Sequence, residues 1–209
     1  MSENKPLKLA TRGSDLARAQ SGSVAAALRA RGITAELEIV ATAGDLSAAE
    51  HFADIGAQGV FVREIEQAVI DGRADFAVHS FKDLPTDSPE ALCIAAVPKR
   101  LDAHDVLLIR KDALRSSESF APLLHHAKVG TSSARRHAWL RHFRRDVEIV
   151  PLRGNVPTRL AKLRDGQCDA ILLAAAGLER LEQVEALLAP LLSGITVYPL
   201  DPERFVPAP

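Results

Sequence analysis

The apolar positions of this chain come in short runs, and the spacing within each run decides what it becomes. Residues 7–10 (Leu-Lys-Leu-Ala) read as a short strand, residues 15–31 place apolar side chains at helical spacing, and residues 35–40 alternate as a half-buried strand does. A Gly-containing loop over 42–59 separates this strand-helix-strand opening from a helix expected over 61–70, which Asp71-Gly72 closes. Residues 75–79 (Asp-Phe-Ala-Val-His) then read as a buried strand, and the apolar runs 92–97 and 105–109 as two more.

The same plan runs again in the second half, with a strand at 128–129, a helix over 134–143, a strand over 147–152, a helix over 156–164 and a strand over 170–174. Its closest echo is local: Asp71-Gly72-Arg73-Ala74-Asp75 and Asp165-Gly166-Gln167-Cys168-Asp169 each follow a helix and lead into an apolar strand. Strands separated by helices imply an α/β fold, here two duplicated lobes of mainly parallel sheet flanked by helices, with ligand bound between the lobes at the carboxyl ends of the strands. The apolar pattern breaks at Pro98-Lys99-Arg100-Leu101-Asp102, so the expected division is a first lobe over 1–101, a second over 102–196 and a tail over 197–209.

Composition narrows the class. With 26 Lys and Arg against 27 Asp and Glu and 47% hydrophobic residues in 209, collagen-like, mucin-like and disordered chains are excluded. No apolar run approaches the roughly 20 residues that span a bilayer, and Met1 to Pro6 lack the apolar core of a signal peptide, so a cytoplasmic protein without a membrane partner is expected. Cys93 and Cys168 offer no CxxC pair, zinc spacing or disulfide framework; no metal site is expected, and both read as core or near-core thiols. The near-neutral total hides an asymmetry: residues 128–164 hold 10 basic groups and 2 acidic ones, which points to a localised anion site.

Four polar segments fall where a strand ends and a helix or turn begins. Thr11-Arg12-Gly13-Ser14-Asp15 puts a guanidinium and a capping hydroxyl at a helix start. His79-Ser80-Phe81-Lys82-Asp83-Leu84-Pro85 places Lys82 as a cation for a substrate carboxylate and Asp83 as a fixed carboxylate for a developing positive charge; an exposed ion pair is the plainer alternative. Gly130-Thr131-Ser132-Ser133-Ala134-Arg135-Arg136 aligns hydroxyls, backbone N–H groups and two guanidinia at a helix N-terminus, an anion cradle; a Ser-capped basic helix is the alternative. Arg153-Gly154-Asn155-Val156-Pro157-Thr158-Arg159 turns after a strand with guanidinia on either side of a helix opening. Several Arg in one place suit a ligand with more than one carboxylate, since the guanidinium fork pairs with carboxylates bidentately.

These segments resemble the porphobilinogen deaminase (hydroxymethylbilane synthase) family from about Leu7 to Leu181, through KLATRGSDLARAQ, TAGD, GVFVREIEQAVIDGRADFAVHSFKDLP, VGTSSARR and LRGNVPTRLAKLRDGQCDAILLAAAGLERL. The resemblance implies a transferase of tetrapyrrole (porphyrin) biosynthesis that condenses four porphobilinogen units with loss of ammonia on a covalent dipyrromethane primer. It also implies a fold like that of type II periplasmic binding proteins. Carried over by motif, Asp83 is the catalytic carboxylate that steadies the pyrrole nitrogens and the cationic azafulvene. Arg12, Ser14, Lys82, Thr131, Ser132, Ser133, Arg135, Arg136, Arg153, Gly154, Asn155, Arg159 and Arg180 form the set that holds substrate and primer.

The chain also departs from that pattern. The family carries its primer on a cysteine of a third, C-terminal domain, which is expected to be absent here together with the segment that returns to the first lobe. Neither Cys93 nor Cys168 stands in the place of that cysteine, so no covalent dipyrromethane is expected on this chain, and the chain alone is expected to be inactive. Asp54 and Gln58 stand where the family commonly has lysines. A non-catalytic two-domain protein that binds a polycarboxylated pyrrole or other organic anion is the rival reading. A nucleic-acid role for the helix from Arg135 to Arg145 is disfavoured by 4% aromatic residues and a pI near 6.7, and a monomer is expected.

Overall fold

The computed structural model describes residues 5–41, 62–115, 120–182 and 188–208. The loop over 42–59, with Asp54 and Gln58, lies outside the described residues, as do Phe61 at the expected helix start and Pro209. The chain forms two compact units, Met1–Pro98 and Lys99–Pro209. The division falls three residues before the expected one. No separate tail begins at 197, because the last described residues pack into the second unit.

In the first unit, β1 (Leu7–Thr11) lies between β2 (Ala35–Ile39) and β3 (Phe76–Ala77), parallel to both. Among the described residues of this unit are also helix α1 (Asp15–Arg29) and helix α2 (Arg63–Ile70). Leu9 and Ala10 on the central strand, Ile65 and Ala68 one turn apart on α2, and Val40 and Ala74 beside these elements are buried. Two expectations fail here. The 75–79 run keeps a ladder only at Phe76–Ala77, and 92–97 is no strand: Ile94 is 53% and Val97 67% exposed, and Cys93 is exposed rather than in the core. A strand needs a partner to satisfy its N–H and C=O groups, and among the described residues 92–97 has none.

Among the described residues of the second unit, five strands form one sheet in the order β6-β5-β7-β4-β8. β5 (Lys128–Gly130), β6 (Glu148–Val150) and β7 (Ala170–Ala174) are parallel, while β4 (Asp105–Arg110) runs antiparallel to β7 and to β8 (Ile195–Pro199). The expected α/β plan holds, with a parallel first sheet and a second sheet in which two parallel pairings adjoin two antiparallel ones. Helices α3 (Ala134–Phe143), α4 (Val156–Arg164), α5 (Ala175–Glu182) and α6 (Leu188–Leu191) cover it. One core layer gathers Leu107, Val129, Leu140 and Leu172 with Phe205, which is fully buried and anchors the C-terminal segment; Leu108, Leu160, Leu163, Cys168 and Ile171 fill the other.

The duplication extends to individual hydrogen bonds. Lys8 N donates to Asp75 Oδ2 at 2.7 Å and Asp75 N to Lys8 O at 2.8 Å; Lys128 N donates to Asp169 Oδ2 at 2.8 Å and Asp169 N to Lys128 O at 2.8 Å. Before each Asp, a glycine with positive φ, Gly72 at 70° and Gly166 at 76°, ends the helix.

Candidate functional site

In the first unit, Ser14 caps α1 by accepting from Ala17 N at 3.4 Å, and Arg12 beside it is half-buried. One turn and a half further along α1, Gln20 Nε2 donates to His79 O at 3.2 Å, and Ser80 Oγ donates to Gln20 Oε1 at 3.1 Å. Gln20 thus ties the helix to the start of the segment that carries Lys82 and Asp83. That segment is a single 3-10 turn, Phe81–Asp83, closed by Asp83 N to Ser80 O at 2.9 Å. Lys82 and Asp83 are both exposed, and no ion pair joins them among the described residues. His79 Nε2 is buried with no hydrogen-bond partner. Burial lowers the His79 pKa more than the Asp83 charge raises it, so Asp83 neighbours a neutral imidazole at pH 7.

In the second unit, the three hydroxyls that looked free to meet a ligand already serve the backbone. Thr131 Oγ1 accepts from Ser133 N at 3.2 Å, Ser132 Oγ both donates to Leu152 O and accepts from Leu152 N at 3.0 Å, and Ser133 Oγ caps α3 by accepting from Arg136 N at 3.5 Å. The arginines are engaged as well. Arg135 Nη2 and Arg136 Nη2 donate to the two carboxylate oxygens of Asp105, at 2.5 Å and 2.7 Å, and the Asp105 side chain is 2% exposed. Two cations at a helix start do call for an anion, and the protein supplies one itself.

A second turn builds the neighbouring cations. Asn155 Oδ1 accepts from Thr158 N at 2.9 Å and caps α4. Gly154 before it has φ 115°, and a Cβ there would stand 2.8 Å from the Thr158 side chain, so only glycine makes this turn. Arg159 Nε reaches back to Gly154 O at 2.7 Å, and Lys162 Nζ to Arg153 O at 3.0 Å, while the Arg153 side chain is exposed. Burial first, and the Arg136 charge second, lower the Arg159 pKa; burial also lowers that of Arg180 on α5, against Glu179. Guanidinium remains charged under such conditions, and an anion placed beside it relieves the cost.

The second unit therefore brings together Thr131, Ser132, Ser133, Arg135 and Arg136, sets Arg159 in the field of Arg136, and carries Arg153, Gly154 and Asn155 on the turn before Arg159. Arg180 shares no hydrogen bond or ion pair with them among the described residues. The first unit holds Arg12 and Ser14 at the start of α1, and Lys82 and Asp83 on the 3-10 turn after β3. Sequence reasoning missed Gln20, His79 and Asp105. Asp105 had a visible signal, a carboxylate opening the otherwise apolar run Asp105-Val106-Leu107-Leu108-Ile109. Among the described residues no three His, Cys, Asp or Glu gather as metal ligands, and no helix is long and apolar enough to cross a membrane.

Residues 7–209 match the family described as "Porphobilinogen deaminase, dipyromethane cofactor binding domain". Porphobilinogen deaminase from Syntrophobacter fumaroxidans is 44% identical over 207 residues, covering 98% of this chain and 62% of its own length. That of Sorangium cellulosum is 49% identical over 178 residues, 84% of this chain and 57% of its own, and porphobilinogen deaminase 1 of Streptomyces avermitilis is 49% identical over 191 residues, 88% and 58%. The chain thus spans about three fifths of the length of these relatives. Among solved structures, the Bordetella pertussis BvgS periplasmic VFT2 domain is 18% identical with a TM-score of 0.47, over 93% of this chain and 75% of that one. At that distance the likeness adds nothing to the architecture described above.

Proposed function

The chain belongs to the porphobilinogen deaminase family, and on that premise we propose that it serves a transferase that condenses porphobilinogen into hydroxymethylbilane with loss of ammonia. The observation that supports this most is the charge arrangement. Cations cluster at the helix starts of the second unit around one buried carboxylate, while the first unit carries an exposed carboxylate, Asp83, beside a neutral imidazole. In this reading Arg159, Arg153, Arg136 and Arg180 hold acetate and propionate groups, joined by Arg12, Ser14 and Lys82, and Asp83 meets positive charge that develops at a pyrrole ring. Neutral His79 leaves the Asp83 charge uncompensated for that purpose.

Dipyrromethane fits the same donors through its carboxylates, and when bound it supplies the acceptor pyrrole. It is held covalently in the family, and neither thiol of this chain is proposed to hold it: Cys168 is buried with its thiol pushed up to about 11, chiefly by burial, and Cys93, though exposed, does not match the family's cofactor cysteine. Holding the acceptor in place is worth ~7–11 kcal/mol of a barrier, so the isolated chain does not turn over. The protein acts in the cytoplasm as a monomer, without nucleic acid or membrane partner.

Porphobilinogen consumption tests the proposal. The chain alone is expected to consume none, and fusion to the remaining, primer-bearing part of a relative is expected to confer consumption that Asp83→Asn abolishes with the fold intact. Consumption unaffected by Asp83→Asn would refute it, and carboxylate binding without consumption by the fusion would favour a purely binding protein.

A further inference from the structure

β4 runs antiparallel to β7, so its first residue, Asp105, pairs with Ala174 at the carboxyl end of β7. That is the end of an α/β sheet where ligands bind, and there Asp105 stands as a buried carboxylate among arginines. We infer that Asp105 is the positioning residue of the second unit's anion site, fixing the guanidinia of Arg135 and Arg136 side by side so that Arg136 and Arg159 receive a substrate carboxylate. The inference rests on the carboxylate-binding function proposed above.

The two arginines are held for different tasks. Arg135 is held through both Nη atoms: besides Asp105 it donates Nη1 to Val206 O at 2.6 Å, and it lies 5.9 Å from the Phe205 ring. It is a strut that joins Asp105 to the C-terminal segment of the unit. Arg136 is held by Asp105 and by Leu172 O, at 3.0 Å from Nη1, yet its Nε is buried without a partner. Its charge is felt at Arg159. Two adjacent guanidinia repel, and the carboxylate that bridges them is what lets both stay at the start of α3. Asp105 therefore leaves a fixed cation with a spare donor, whose charge reaches the partly buried Arg159.

The sign of one substitution separates this from simple electrostatics. Asp105→Asn removes a negative charge from the neighbourhood, so Coulomb attraction alone makes anion binding tighter; loss of positioning makes it weaker. With porphobilinogen as the probe, calorimetry on the folded Asp105→Asn chain is expected to show binding at least roughly tenfold weaker, and Asp105→Glu to restore part of the loss. Equal or tighter binding by Asp105→Asn overturns the inference. Should Asp105→Asn not fold, Asp105→Glu carries the test, with binding roughly three- to tenfold weaker expected and wild-type affinity contradicting it. The Arg136 Nε–H resonance provides a ligand-free reading: sharp and protected in the wild type, broadened in either variant. An unchanged resonance overturns the role of Asp105. If wild-type chain binds no porphobilinogen while that resonance responds as expected, the proposed ligand is wrong and the role of Asp105 in holding the two arginines stands.

Discussion

The first and second units share the turn that feeds β3 and β7, down to the reciprocal bonds of Asp75 with Lys8 and of Asp169 with Lys128, and differ in what stands beside that strand. Beside β7 lies β4, which brings Asp105 to the carboxyl end of the sheet and buries it between two arginines. Beside β3 no second neighbour stands among the described residues, and the carboxylate of that unit, Asp83, is exposed on a 3-10 turn. One duplicated scaffold thus places a carboxylate in two settings: buried between two cations, and exposed on a turn.

The largest expected effect breaks the second unit alone. Arg144, 9% exposed, donates to the carbonyls of Ala121, Leu123 and Leu124 and to both oxygens of Asp146. Arg144→Ala removes every one of these bonds and leaves a carboxylate and three carbonyls short of partners, at a cost of about 3–5 kcal/mol. Trp139, the single tryptophan, stacks on Phe143 at 5.6 Å and reports on this unit, so its fluorescence midpoint in urea should fall steeply. Acid should act through the same contact. Hydrogen bonds from Arg144 hold the Asp146 carboxyl well below its usual range, so their stabilisation is present above the unfolded carboxylate pKa of about 3.9 and is lost as pH falls through the folded value. An unshifted Trp139 midpoint in Arg144→Ala would contradict the clamp.

The shared turn should respond alike in both units. Asp75→Ala and Asp169→Ala each remove a charged acceptor from one backbone N–H and should each cost about 1–2 kcal/mol. Trp139 should register the loss for Asp169 and not for Asp75, whose effect circular dichroism should detect. A cost in one unit only would show that the echo is geometric and not energetic.

No change in stability is expected from the thiols, yet they separate the units cleanly. A thiol reagent at pH 8 should label Cys93 in the native protein, whereas Cys168, buried and with its pKa raised to about 11, should react only across the Trp139 unfolding transition. Equal native rates would mean that the second core layer is open.

The elements that sequence reading placed well are those whose signals are local. Helices α3 and α4 match residues 134–143 and 156–164 because Ser133 and Asn155 cap them and apolar spacing continues between the caps. The 92–97 run failed because apolar character marks a strand only when a partner stands beside it, and pairing is not a local property. The site divides on the same line. Ser14, Ser133, Asn155 and Gly154 act within their own turns and were legible, whereas the Asp105 contacts join residues 30 and 31 positions apart, and only the antiparallel course of β4 brings them together. Arg144 at the end of α3 is a buried clamp, a role that its place in a basic run does not reveal.

The central claim, that the start of α4 belongs to a carboxylate-binding site and its far end does not, is tested within one helix. Arg159 and Arg164 carry the same charge on α4, Arg159 in the field of Arg136 and Arg164 exposed in the last turn. Porphobilinogen binding measured by calorimetry for Arg159→Gln and Arg164→Gln at low and physiological salt is the direct measurement. The account predicts at least a roughly tenfold loss for Arg159→Gln at both salt concentrations and less than about twofold for Arg164→Gln. Equal losses that vanish together as salt rises would contradict it, since they would mean diffuse attraction to a basic surface.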